Sequence, residues 1–285
     1  MASHIKVISI HPWSDRAEAA TNSCRELLLP MEPLLPLCGP QSVLSWAGAR
    51  TTQLQDDGSV RAYRLPHTDA PLYTGTHNAA AGLFNLAGMA AGVRIAFRTT
   101  ADAVEVTVAV RSGGALMFDL VTGGEVLAQT VANDVPPPGD TTDIAAMADW
   151  NETWSSYSTL RWDGLGEGED KLVEIWLPHV GITKVKAVSV TATATATRYV
   201  DSRPRWTTYG SSISHCGEAH SPARTWPATC ARTADLNLYC LGFGGNCNLD
   251  PLVAREIRDH PADAISLKLG INMLMTHGMR TFIPS

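Results

Sequence analysis

Apolar and polar residues alternate along the middle of the chain, between residues 73 and 199. Residues 104–110 read Val-Glu-Val-Thr-Val-Ala-Val, and residues 93–98 alternate in a similar way. A period of two puts every second side chain on one face, which is typical of a strand with one buried side. Glycine-rich turns separate further strands, which are predicted at residues 115–121, 125–131, 159–162, 171–177 and 184–193. The series predicts an antiparallel, jelly-roll-like β-sandwich over residues 66–200.

From residue 201 onward the pattern changes to strands that alternate with helices. Mostly apolar strands are predicted at residues 205–209, 238–241 and 264–269, with helices at 227–234 and 251–258 between them. This order builds a parallel sheet that is covered on both faces. Residues 201–285 are therefore predicted to form an α/β domain. By contrast, residues 1–65 keep neither period for long and predict an irregular N-terminal arm with short strands.

The composition limits the classes of protein to which the chain can belong. Its 285 residues amount to about two domains at roughly 150 residues each. The net charge is −6 with no long basic run, which argues against a nucleic-acid or anionic-membrane partner. Prolines interrupt the apolar stretch 27–38, so it predicts neither a membrane span nor a signal peptide. We therefore expect a soluble, cytoplasmic protein.

The cysteines indicate free thiols rather than a disulfide scaffold. There are six in 285 residues and none forms a Cys-x-x-Cys pair. Four of them share the last third of the chain with His215 and His220, but their spacing matches no zinc motif. We expect no metal and no other cofactor.

Each of the predicted parallel strands ends in a polar or glycine-rich tip. The tips are residues 210–212, 244–246 and 270–272. Because ligands of such sheets bind beyond the carboxyl ends of the strands, we expect the three tips to lie together. They offer the Ser212 hydroxyl, backbone N–H groups around Gly245 and the Asn272 amide. A nucleophile with preorganised donors is what acyl transfer needs, since each donor stabilises the oxyanion by about 3–4 kcal/mol. Taken singly, Ser212 could equally be a helix N-cap, and Asn272 a turn residue or cap.

These tips carry a resemblance to a known family. Residues 209–213, 241–246 and 267–272 read Tyr-Gly-Ser-Ser-Ile, Leu-Gly-Phe-Gly-Gly-Asn and Leu-Lys-Leu-Gly-Ile-Asn. They resemble the first three motif blocks of the SGNH (GDSL-like) hydrolases, and the β region resembles the sandwich that precedes them in one bacterial branch. The resemblance implies a flavodoxin-like α/β/α domain and serine-dependent ester hydrolysis without a metal. It implies that Ser212 is the nucleophile and that Gly245, Asn272 and the Ser212 N–H bind the oxyanion. Ser211 stands where many members have aspartate.

The resemblance stops before the family's last block. Members carry an Asp-x-x-His near the C-terminus, whose histidine takes the serine proton, and none follows Asn272 here. His215 and His277 are candidate substitutes, against the alternative that both are core or solvated histidines. Three strands of the family's five would also leave an open sheet edge. We therefore expect a truncated product or one completed by a second chain or copy, and hence an oligomeric or poorly soluble protein.

Two classes of function fit these observations. The first is a serine esterase that removes a small acyl group such as acetyl from a carbohydrate or other metabolite, although the missing block puts the activity of this chain alone in doubt. The alternative is a non-catalytic carbohydrate-binding or truncated, inactive protein, for which Trp150, Trp154, Trp162 and Trp176 could line a sugar site or belong to the core. The acidic group Glu167, Glu169 and Asp170 is predicted to be a solvated loop rather than a cation site.

Overall fold

The computed structural model describes residues 32–33, 42–73, 78–111, 116–132 and 153–277. Most of the predicted N-terminal arm, Trp150 and the side chain of His277 lie outside the described residues. The sections below concern the described ranges only.

Two antiparallel sheets of six strands each are built mainly from the region before residue 200. The first contains β1 (Glu32–Pro33), β3 (Thr51–Leu54), β4 (Val60–Tyr63), β6 (Val104–Arg111), β9 (Ser158–Trp162) and β11 (Ile182–Val190). The second contains β2 (Ser45–Ala47), β5 (Arg94–Thr99), β7 (Leu116–Thr122), β8 (Glu125–Ala132), β10 (Lys171–Trp176) and β12 (Ala196–Arg198). The strands predicted between residues 93 and 193 are thereby confirmed to within a few residues. Strands β2, β3 and β4 come from the segment predicted as the arm, so both sheets begin before residue 66.

The buried faces of these sheets pack into one hydrophobic core. Val104, Val106 and Val108 of β6 are fully buried there, together with Ile95 and Phe97 of β5. The period of two in the sequence therefore records which face of each strand is buried.

A helix interrupts the region that the sequence pattern predicts as β. Helix α1 spans Asn78–Ala87, and a 3₁₀ turn at His67–Tyr73 precedes it. The segment is rich in alanine, the residue that favours helices most, and that composition was the available signal. Its Leu83 and Ala87 pack on the parallel sheet described next.

The remaining strands form a parallel sheet in the order β14–β13–β15. Its strands are β13 (Arg205–Gly210), β14 (Asn237–Gly242) and β15 (Ala264–Lys268). The helices that follow them are α2 (Ser212–His215), α3 (Trp226–Thr233), α4 (Pro251–Asp259) and α5 (Ile271–His277), with a 3₁₀ turn at Pro222–Arg224. Helices α1 and α4 contribute to the core on one face and α3 to the core on the other, whereas β15 stays exposed. The predicted order of strands and helices is confirmed.

Buried contacts join the parallel sheet to the antiparallel ones. Trp176 of β10 shares a hydrophobic cluster with Trp206 of β13 and Leu238 of β14. Beside it, the buried Arg94 guanidinium forms ion pairs with Glu174 at 3.2 Å and with Asp201 at 3.1 Å. The two parts of the fold are therefore packed together and not merely linked.

Candidate active site

The three strand tips lie side by side at one edge of the parallel sheet. Gly210 is in register with Gly242 on β14 and with Lys268 on β15, so the three strands end at one level. The Phe243 N–H donates to the Gly210 carbonyl at 2.8 Å just beyond that level. The expectation that parallel order would bring the tips together is confirmed.

Ser212 is the first residue of helix α2, and its side chain is exposed. The N-cap position belongs to Ser211, whose hydroxyl makes no capping hydrogen bond, so Ser212 is not the cap of this helix. Neither the hydroxyl nor the N–H of Ser212 has a hydrogen-bond partner among the described residues. Both groups are therefore available to a bound molecule.

Glycine at two strand ends lets helix α2 approach the sheet closely. A β-carbon on Gly242 would overlap the backbone of Ser214 and His215, and one on Gly210 would overlap the Ser214 hydroxyl. Only glycine leaves space for this approach. The closeness brings Ser212 to the second tip, where a β-carbon on Gly244 would lie 3.7 Å from the Ser212 Cβ.

The second tip is a turn that presents backbone N–H groups. Gly245 adopts φ +72°, a conformation that favours glycine, and its Cα faces open space. The Asn246 N–H donates to the Phe243 carbonyl at 3.1 Å and closes the turn. The Gly245 N–H has no acceptor within the described part of the chain. The candidate donor from this tip is therefore unengaged.

Asn272 of the third tip is buried and directly bonded to the second tip. Its side-chain Oδ1 accepts the Cys247 N–H at 3.0 Å. This bond distinguishes the two ends of the amide, so Nδ2 is the end left to donate. The structure thus brings together Ser212, the Gly245 tip and Asn272, the three residues singled out from the sequence.

His215 does not serve as a base for Ser212. Its Nε2 donates to the His179 carbonyl at 2.7 Å, and its Nδ1 accepts the Gly244 N–H at 3.3 Å. Burial, with a contribution from the Arg64 charge, lowers the pKa of this imidazole to about 3. Both nitrogens are engaged, so the hypothesis that His215 replaces the missing base is wrong. His220 is exposed, and the His277 side chain lies outside the described residues.

Sequence reasoning missed Arg64, whose side chain contacts the end of strand β14 just before the second tip. Its fully buried guanidinium stacks on the Phe243 ring at 4.7 Å. It donates to four backbone carbonyls, those of Leu86, Met89, Cys240 and Gly242, at 2.5–3.0 Å. Burial lowers its pKa to about 10. No sequence signal separates Arg64 from the nearby, partly exposed Arg61.

The remaining predicted features do not converge on this site. Trp162 and Trp176 are buried, and Trp154 lies beneath the Lys184 ammonium at 4.7 Å. The described cysteines are free, and no group of three or more metal-ligating side chains occurs in the described ranges. In those ranges, no helix is both long and apolar enough to cross a membrane.

Comparison with known proteins agrees with the motif blocks. Residues 44–184 match the family model of the SsfX3 N-terminal domain. The salicylyl-acyltransferase SsfX3 of a tetracycline biosynthetic pathway is 31% identical, with a TM-score of 0.69 over 84% of this chain and 62% of that one. A putative GDSL-like lipase from Bacteroides ovatus has 22% identity and a TM-score of 0.57, over 81% of this chain and 63% of that one. The acetyl xylan esterase Est2A of Butyrivibrio proteoclasticus has 12% identity and a TM-score of 0.51, over 86% and 66%.

The resemblance to the SGNH (GDSL-like) hydrolases is thereby confirmed. The lipase and the xylan esterase, which are less than 25% identical to this chain, share its fold. The chain spans less than two thirds of the length of each of these three proteins. No curated protein matches the sequence. The fold is thus one that an acyltransferase and esterases share.

Proposed function

We propose that this chain carries the nucleophile and oxyanion donors of an SGNH-type serine esterase. Its substrate would be a small acyl ester, such as an acetyl ester, of a carbohydrate or other metabolite. The observation that carries the proposal is the contact between three strand tips that offer a free Ser212 hydroxyl, a free Gly245 N–H and the Asn272 amide. The jelly-roll-like sandwich and the flavodoxin-like sheet of the SGNH fold are part of the same proposal.

In this reaction the Ser212 Oγ attacks the ester carbonyl carbon while its proton passes to a base. The carbonyl oxygen becomes an oxyanion that accepts hydrogen bonds from the Ser212 N–H, the Gly245 N–H and the Asn272 Nδ2. The C–O bond to the alcohol then breaks, and the alcohol leaves with the proton held by the base. Water attacks the acyl-enzyme, which releases the carboxylic acid and restores Ser212.

The base comes from outside the described residues. Within them, no imidazole or carboxylate is bonded to Ser212, and His215 is engaged on both nitrogens. A hydroxyl without a base is a weak nucleophile at neutral pH. The proposal therefore assigns proton transfer to a histidine of an undescribed segment or of a second chain.

We further propose that a second chain or copy covers strand β15. Ile265 is 50% exposed and Leu267 55% exposed, although they lie on a strand that pairs with β13. Apolar side chains on an open edge strand promote association. Sedimentation velocity should show a concentration-dependent oligomer that Leu267→Lys weakens, whereas Leu72→Lys, at an exposed site in the 3₁₀ turn His67–Tyr73, should not. A monomer at all concentrations would contradict this part of the proposal.

Transfer of the acyl group to an alcohol is the second candidate function. It is favoured by the 31% identity with an acyltransferase and by the match of residues 44–184 to that protein's N-terminal domain. The two candidates differ only in what attacks the acyl-enzyme. Product analysis with and without an added alcohol distinguishes them, because a transferase forms the new ester at the expense of the free acid.

Hydrolysis of p-nitrophenyl acetate tests the esterase proposal. With imidazole added as the external base, we expect p-nitrophenol release above the rate that imidazole alone gives, and loss of that excess in Ser212→Ala. Ser156→Ala, at an exposed serine on the antiparallel part, is the matched control and should keep the full rate. Equal rates for Ser212→Ala and the wild type would contradict the proposal.

A further inference from the structure

We infer that His215 is a positioning residue that holds the second strand tip where the Gly245 N–H can meet the oxyanion. This inference rests on the proposed function for its role in catalysis. Its structural basis is the pair of hydrogen bonds that join Gly244, His215 and His179.

The two bonds define the state of the imidazole. A carbonyl oxygen can only accept, so the bond from Nε2 to the His179 carbonyl requires a proton on Nε2. The Gly244 N–H can only donate, so Nδ1 must carry a lone pair. His215 is therefore the neutral, Nε2-protonated tautomer, and a proton added to Nδ1 would remove the acceptor of Gly244.

The groups that face His215 favour this neutral form. Its side chain is 5% exposed and lies near the Arg64 cation and the buried His179 ring.

Arg64 also donates to the Gly242 carbonyl at 2.7 Å, two residues before Gly244. The tip is thus anchored at Gly242 by Arg64 and at Gly244 by His215, immediately before the free N–H of Gly245.

The chain from His215 to His179 also gives the antiparallel part of the fold a role at the site. His179 lies between β10 and β11, and its carbonyl fixes the orientation of the imidazole ring. The tip that carries the candidate oxyanion donor is therefore positioned partly by a residue outside the α/β region.

A graded set of variants tests the inference on the full chain. His215→Leu removes both hydrogen bonds, whereas His215→Asn keeps an acceptor near the Nδ1 position, and exposed His220→Leu is the control. Hydrogen exchange at the Gly244 amide should accelerate about tenfold in His215→Leu, as expected for the loss of one hydrogen bond. His215→Asn should restore most of the protection. The ¹⁵N spectrum of the wild-type imidazole should show a proton on Nε2.

A kinetic readout then distinguishes positioning from a general loss of structure. With a fluorophosphonate probe and added imidazole as base, the maximal labelling rate of His215→Leu should fall about tenfold, with half-saturation within about twofold of wild type. Equal Gly244 exchange in wild type and His215→Leu, or a proton on Nδ1, would overturn the inference. Protected Gly244 in a protein whose Ser212 never reacts would instead overturn the proposed function, and the contact itself would stand.

Discussion

The side chain of Asn272 accepts a hydrogen bond from the backbone N–H of Cys247 at 3.0 Å. This bond joins the first turn of helix α5 to the loop after β14, and the two bonded residues are 25 positions apart in the sequence. It also fixes the amide, because Oδ1 is occupied and Nδ2 is left for another acceptor. The contact makes the role of Asn272 testable with a substitution that changes only one end of its side chain.

Asn272→Asp should separate support of the loop from donation to the oxyanion. The carboxylate keeps an acceptor for Cys247 but loses the N–H₂ donor and adds a negative charge where the oxyanion forms. The rate of Ser212 labelling by a fluorophosphonate should fall about 100- to 1000-fold, the range for a lost oxyanion donor. Asn272→Leu should in addition lower the free energy of unfolding by about 1–3 kcal/mol, because the Cys247 N–H loses its partner. A full labelling rate in Asn272→Asp would exclude Asn272 as a donor.

Gly242→Ala should be much more damaging to stability than Gly245→Ala. A methyl group on Gly242 would overlap the backbone of helix α2, which cannot move without displacing Ser212. A β-carbon on Gly245 would face open space, so the substitution there costs only the backbone strain of a φ of +72°. We expect a loss in unfolding free energy of about 3 kcal/mol or more for Gly242→Ala and of about 1 kcal/mol for Gly245→Ala. Urea denaturation measures both, and equal losses would show that α2 is not packed against β14 as described.

Arg64→Lys should destabilise the protein although the charge is kept. Four carbonyls accept from the planar guanidinium, and one ammonium cannot reach them all. With buried carbonyls left unpaired, the free energy of unfolding should fall by about 2–4 kcal/mol. Arg255→Lys, at an exposed site on α4, should change it by less than about 0.5 kcal/mol. An equal, small effect at both sites would contradict the buried clamp.

The low pKa of His215 predicts a loss of stability in mild acid. The unfolded imidazole takes a proton near pH 6.5, whereas the folded one does so near pH 3. Between these values the unfolded state binds the extra proton, so the free energy of unfolding decreases by up to about 1.4 kcal/mol for each unit by which the pH is lowered. His215→Asn lacks this group, and its curve should be flatter by up to that slope between pH 6 and about pH 4. Urea titrations at several pH values measure the difference, and parallel curves would indicate a solvated His215.

The sequence predicted the elements of the fold well because their signals are local. Alternating valines identified β6, and the order of strands and helices after residue 201 identified the parallel sheet. That order also predicted the meeting of Ser212, Gly245 and Asn272, since the carboxyl ends of parallel strands share an edge. Helix α1 was missed because its alanine-rich segment lies inside a region of β pattern.

The supporting contacts of the site could not be predicted in this way. Arg64 meets the Gly242 carbonyl across 178 residues, and His215 meets the His179 carbonyl across 36. Such pairs have no period or spacing in the sequence, because they depend on how two separately patterned regions pack. Only the contacts in the folded structure show that His215 is a neutral imidazole that holds the second tip, and not a base for Ser212.

The most direct measurement of the central claim is mass-spectrometric mapping of a fluorophosphonate adduct, with imidazole added as an external base. The three strand tips should make Ser212 the reactive serine of this chain. The account predicts an adduct on the peptide that contains Ser212, its absence in Ser212→Ala and its retention in Ser156→Ala. An adduct that persists in Ser212→Ala, or a wild-type chain that stays unmodified while imidazole is present, would contradict it.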